Sequence, residues 1–286
     1  VKLSENDERF NDIKIYRSKV RNIYAVTLQD YMNDSENALK QYEWCTIDNP
    51  NNSSGYYNRA ILYKNAYNDY INAEKYYKLA LQYSPNNAAY HNNYGLLLCY
   101  QLNRPNDGLK QFELAIKYNP NNGRAYVNIA NLYKRYFKNY DKAEYNYRKA
   151  IEIDGNISSR HYNLGLLLMN NKKDVKGALI ALEQAYILDD TNNDYKNGYK
   201  QILISIGNSI LKDIDTVMNS VDGRRDISMK CLKFGIDLMW KKDNILAREM
   251  LQMSLRLGHN NGITELVLNP LKIDDNHYIY TQLNDK

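Results

Sequence analysis

Read for the spacing of its apolar and polar positions, the chain repeats itself. Small residues recur at Ala60, Gly95, Ala130 and Gly165, at Ala73, Gly108, Ala143 and Ala178, and at Ala80, Ala115, Ala150 and Ala185, each series stepping by 35 residues. Large residues keep the same ruler: Tyr63, Leu98, Tyr133 and Leu168 in one series, Tyr77, Phe112, Tyr147 and Leu182 in another. Separations of three, four and seven inside a unit place these residues on one face of a helix. Small residues on such a face let a neighbouring helix approach, and the large ones fill the gaps. Polar breaks carrying Pro50, Pro85, Pro120, Gly155 and Asp190 fall at the same interval. Pro, Gly, Asp and Asn end helices and form turns. The pattern therefore predicts pairs of helices stacked in a repeat array, not the one or two globular domains that 286 residues would otherwise suggest.

These units resemble the tetratricopeptide repeat, a helix-turn-helix unit of roughly 34 residues with the same order of small, large and aromatic positions. The resemblance implies an all-α fold: a right-handed superhelical solenoid of stacked antiparallel helix pairs with a concave groove. One residue is extra, since Ala60 to Ala73 spans 13 positions, one more than the family pattern. The insertion is expected in the turn between paired helices. Five units are expected at 18–52, 53–87, 88–122, 123–157 and 158–192, after a lead-in at 1–17. A long or degenerate helical segment at 193–225, a further pair at 226–260 and a non-repeating end at 261–286 follow.

Asn58, Asn93, Asn128 and Asn163 recur in register just before the first small residue of each unit. The resemblance implies that this position of each first helix faces the groove, so four carboxamides would form a ladder. An Asn side chain offers both an acceptor and donors, and so can hold the backbone of an extended peptide whatever its side chains. Such a ladder looks like that in the repeat region of the O-linked N-acetylglucosamine transferase. Duplication of one template would also place four asparagines in register without any role in binding. Tyr57, Ile61, Lys64, Asn92, Leu96, Cys99, Val127, Asn131, Lys134, Tyr162, Leu166 and Met169 are expected to face the same way, with Arg124 and Arg135 adding positive charge. A partner that is neutral or acidic, with apolar anchors, follows from that lining. Removing the ladder amides is expected to leave the fold intact.

Composition narrows the function further. Lys and Arg exceed Asp and Glu by five, spread along the chain without a basic patch, so no nucleic-acid partner is expected. The run Lys134–Lys138 is basic and aromatic, but a single short run is weak ground for RNA contact. No apolar stretch is long enough to span a membrane. Cys45, Cys99 and Cys231 lie far apart with no CxxC, which suits a reducing, intracellular and cytoplasmic setting, although a targeting signal would lie outside this stretch. No nucleophile elbow, phosphate loop or metal-spaced Cys/His cluster is present, so a non-catalytic protein without cofactor or metal is expected. His91 and His161 stand where other units carry Tyr56 and Tyr126 and read as aromatic fillers between helices. The carboxylate clamp by which some family members hold chaperone tails needs a set of Lys, Asn and Arg of which only Arg124 keeps its charge, so chaperone tails are not expected by that mode. An adaptor holding an extended peptide, a structural subunit of a larger assembly, and the recognition arm of a longer enzyme all remain open.

Overall fold

The computed structural model describes residues 8–199, 201, 202 and 205, and the chain divides into two units after Lys172. In the first unit, α1 (Glu8–Asp30), α3 (Ser53–Leu62), α5 (Ala88–Tyr100), α7 (Gly123–Leu132) and α9 (Ser158–Leu167) are the first helices of the repeats. Their partners are α2 (Ser35–Asp48), α4 (Tyr70–Tyr83), α6 (Pro105–Tyr118) and α8 (Tyr140–Ile153). Helix α1 packs on α2, α3 on α4, α5 on α6 and α7 on α8, and each second helix packs on the next first helix. Helix α1 begins within the stretch expected as a lead-in. In the second unit, α10 (Val175–Leu188) is followed by helical residues 193–199, 201, 202 and 205. Most of the segments expected at 193–225, and those at 226–260 and 261–286, lie outside the described residues.

The extra residue is taken up at the end of the first helix, not by a longer loop. Residues Tyr63–Tyr67, Tyr133–Phe137 and Leu168–Lys172 form a wider, π-type turn continuing α3, α7 and α9. A single left-handed residue then ends each first helix: Asn33, Asn68, Asn103, Lys138 and Lys173, all with φ between 50° and 58° and spaced by the repeat. Asn tolerates that backbone better than most residues because its short side chain bonds locally. The next amide reaches back six residues, Asp34 to the carbonyl of Leu28, Asp69 to Tyr63, Arg104 to Leu98 and Asn139 to Tyr133, which satisfies a carbonyl the helix end would orphan.

Helix starts use the same chemistry. The side chains of Asn52, Asn87 and Asn122 accept backbone amides at the heads of α3, α5 and α7, and Asp34, Asp69 and Asn139 do so for α2, α4 and α8. Helix α6 has no such cap and opens instead on Pro105, whose missing N–H would have been unpaired there. Much of the asparagine in this chain is thus punctuation.

The small positions are where helices touch. Ala60, Ala73, Ala80, Ala115, Ala130, Ala143 and Ala150 are fully buried around Tyr77, Phe112 and Tyr147. The α5–α6 pair needs glycine at two of them. A Cβ on Gly95 would lie 2.6 Å from the Phe112 ring, and one on Gly108 would lie 2.1 Å from Cys99 Sγ and 2.9 Å from the carbonyl oxygen of Gly95. His91 Nε2 donates to the carbonyl of Pro85 and His161 Nε2 to that of Gly155, both at 2.8 Å. The two histidines therefore tie each helix start to the preceding turn as well as filling space.

Candidate functional site

The ladder amides lie where consecutive first helices meet, and three of them reach to the preceding repeat. Asn58 Nδ2 donates to Asn22 Oδ1 at 3.1 Å, Asn93 Nδ2 to the Tyr57 hydroxyl at 2.8 Å and Asn128 Nδ2 to Asn92 Oδ1 at 2.9 Å. Each step is 36 residues, so the acceptor sits one position before the preceding ladder residue. For Asn163 that position is Val127, which offers no side-chain acceptor, and Asn163 makes no side-chain hydrogen bond among the described residues. Asn93 Nδ2 also donates to the carbonyl of Ala89 at 3.0 Å. The donor ends of three amides thus brace the array, while Oδ1 of Asn58, Asn93 and Asn128 accepts no hydrogen bond among the described residues. Removal of these side chains would break hydrogen bonds between repeats, so some loss of stability is expected where none was.

The other predicted residues fall into two groups. Asn92 is buried and holds Asn128, and Asn131 Oδ1 accepts the hydroxyl of the buried Tyr147. Asn131 thereby pairs a buried hydroxyl that would be costly to leave without a partner. Tyr57 stacks on Tyr90 with centroids 4.4 Å apart, and burial raises its pKa. Lys64, Lys134 and Tyr162 are half-buried and Arg124 is exposed. Burial lowers the pKa of both lysines, and no acidic side chain lies within ion-pair distance of Lys64, Lys134 or Arg124 among the described residues. Several other cations are paired: Arg104 and Lys78 with Glu74, Lys172 with Asp141 and Glu144, Arg17 and Arg21 with Asp48.

A cavity of about 320 Å³ opens between the starts of α5 and α7, lined by Asn92, Asn93, Asn121, Gly123, Arg124 and Arg160 among others. Arg160 was missed in the sequence. It stands where the other first helices have Gly55, Tyr90 and Ala125, and that contrast was the available signal. Cys45 and Cys99 are buried free thiols, and burial pushes Cys99 up to about 12, so it is held as a thiol. Among the described residues no group of three or more His, Cys, Asp and Glu could hold a metal ion, and no helix is long and apolar enough to cross a membrane. The basic, aromatic run at 134–138 is engaged within the fold: Tyr136 donates its hydroxyl to the carbonyl of Cys99 at 3.0 Å, and Arg135 lies over Tyr100 and Tyr136.

No protein-family model and no curated protein matches the chain. Solved structures do. PilF of Pseudomonas aeruginosa superposes with a TM-score of 0.57 at 16% identity, covering 76% of this chain and 96% of its own. A tetratricopeptide repeat protein from Parabacteroides merdae gives 0.56 at 14% identity over 90% of this chain and 100% of its own. The fold is that of the tetratricopeptide repeat. YrrB, described as a tetratricopeptide protein with an unusual peptide-binding site, gives 0.50 at 20% identity over 63% of this chain and 90% of its own. Within the tetratricopeptide frame the helices pack in pairs, and the extra residue becomes a π-type turn after α3, α7 and α9.

Proposed function

We propose that this tetratricopeptide array is a non-catalytic interaction module that holds an extended peptide segment along its first helices. The observation that carries the reading is the row of amides bridging α1, α3, α5 and α7, whose Oδ1 atoms accept no hydrogen bond among the described residues. A peptide backbone presents N–H groups to such acceptors, and acidic or neutral side chains suit Lys64, Arg124 and Lys134. The peptide-binding site of YrrB supports the class of ligand.

Asn163 tests this cleanly, since its side chain makes no hydrogen bond among the described residues. Asn163→Ala should melt as the wild type does and bind a degenerate extended-peptide pool several-fold more weakly, as expected for the loss of about 1 kcal/mol of hydrogen bonding. Unchanged peptide binding by a folded Asn163→Ala and a folded Asn128→Ala would sink the ladder.

A second reading, as a structural subunit of a larger assembly, rests on the apolar face of α1. Ile13, Tyr16, Val20 and Ile23 are 50%, 71%, 46% and 65% exposed at helical spacing. Loss of the wild-type oligomer or assembly in Tyr16→Ser/Ile23→Ser, with peptide binding intact, would favour it.

A further inference from the structure

We infer that the cavity between the starts of α5 and α7 is a carboxylate-binding subsite, built on Arg160, for an acidic group of the bound peptide. The inference rests on the peptide-binding reading above and names the chemistry at one point along the segment.

Three observations converge on an anion. Arg160 is more than nine-tenths buried, yet no carboxylate lies within ion-pair distance of it among the described residues. Its Nη1 donates to the carbonyls of Ala150 at 2.6 Å and Asp154 at 2.8 Å at the C-terminal end of α8, which fixes the guanidinium plane and offsets only part of its charge. Nη2 has no acceptor among the described residues and lies against Gly123, where a Cβ would come within 2.5 Å of it. A glycine is thus what lets the guanidinium reach the head of α7. A buried charge left unpaired is expensive, and the usual remedy is a counter-ion.

The surroundings supply the rest of an anion site. The cavity lining contains no acidic residue and places exposed Arg124 on the same opening. The amides of Asn92, Asn93 and Asn121 line it, and the N-terminus of α7 adds the positive end of its dipole. Its volume, about 320 Å³, suits a side chain or a chain end, not a macromolecular surface. A planar guanidinium with a free edge matches the two oxygens of a carboxylate. Arg160 is also outside the positions a chaperone-tail clamp would occupy. The carboxylate has two possible sources: a Glu or Asp side chain, or the free end of a peptide.

The test uses the full chain, immobilised, with retention of three degenerate hexapeptide pools read by mass spectrometry. One pool has a fixed central Glu and an amidated end, one a central Gln and an amidated end, and one a central Gln and a free carboxylate. At low salt the Glu pool or the free-end pool should be retained about tenfold better than the neutral pool, and whichever is favoured identifies the source. Arg160→Gln should remove that preference while general retention persists, and Asn163→Ala, outside the cavity, should weaken all pools alike and keep it. Equal retention of the three pools overturns the carboxylate site and leaves the groove reading standing. No retention of any pool overturns both. A preference that survives in folded Arg160→Gln but disappears in Arg124→Gln also overturns the site, because surface charge then suffices. Should Arg160→Gln fail to fold, the Arg160 Nε–Hε resonance of the wild type, titrated with glutarate and with glutaramide, decides: a shift with glutarate alone supports the site, and no shift overturns it.

Discussion

The pairs α3–α4 and α7–α8 are close copies seventy residues apart, and they differ at one seat that matters. Each buries a tyrosine at the same place, Tyr77 in one and Tyr147 in the other. Tyr147 donates its hydroxyl to Asn131, whereas the equivalent of Asn131 is Ile61 and the buried Tyr77 hydroxyl has no hydrogen-bond partner among the described residues. The intervening pair solves the problem differently, with Phe112 opposite Leu96 and no polar atom at either seat. One template has therefore settled into three states: paired, apolar and frustrated. The fold tolerates all three because shape, which the ring supplies in each case, dominates the seat, and the hydroxyl is a correction of about 1–3 kcal/mol.

The largest effect should come from making the paired copy resemble the frustrated one. Asn131→Ile is expected to lower the stability of the first unit by about 1–3 kcal/mol, and Asn131→Ile/Tyr147→Phe to recover most of it. Urea melts of the four chains of that cycle would check it, and simple additivity would show that the hydroxyl and the amide do not interact. Acid should act next, and on both copies. Burial alone would raise the pKa of Glu74, but hydrogen bonds from Lys78, Tyr94 and Arg104 outweigh it and hold the group at about 2. In α8 the pKa of Glu144 is likewise lowered, burial being outweighed by Lys172 and Arg148. A depressed carboxylate stabilises the fold above its unfolded value of 4.5, and that contribution fades as pH falls towards 2. For Glu74 the loss should be about 2 kcal/mol, discounted because Arg104 and Lys78 are largely in water. Arg104→Gln should flatten the acid limb of a pH-dependent melt, and an unaltered limb would contradict the assignment. The smallest effect is the most discriminating. Tyr77→Phe should leave stability unchanged or raise it by up to about 1 kcal/mol, where Tyr147→Phe lowers it, and a loss in both would mean that Tyr77 has a partner after all.

The same comparison explains what could be read from the sequence. Small residues, large residues and turn formers announce themselves by type and interval, because burial at a helix contact and termination of a helix depend on the residue alone. The direction of a polar side chain depends on its neighbour in space. Asn131 shares a helix face with Asn128 and was grouped with it, but only the presence of Tyr147 on α8 turns its acceptor inward. Asn92 lines the cavity between α5 and α7, but it is mostly buried and its Oδ1 is taken by Asn128. A clue was present: one residue before the ladder position the chain has Asn22, Tyr57 and Asn92, each able to accept, and then Val127. Arg160 was legible only as an exception, a charge in a position that elsewhere holds Gly, Tyr or Ala.

The left-handed joints at Asn33, Asn68, Asn103 and Lys138 have a consequence for how the first unit comes apart. Each closes a turn from residues within six positions of one another, and helix packing then joins elements adjacent in the chain. Little loop entropy has to be surrendered before a pair of helices can form, so folding can start at any pair and spread in either direction. Unfolding runs the same way, as fraying from an end more than collapse of a centre. The rungs at Asn58, Asn93 and Asn128 are the stitches such fraying must undo one at a time.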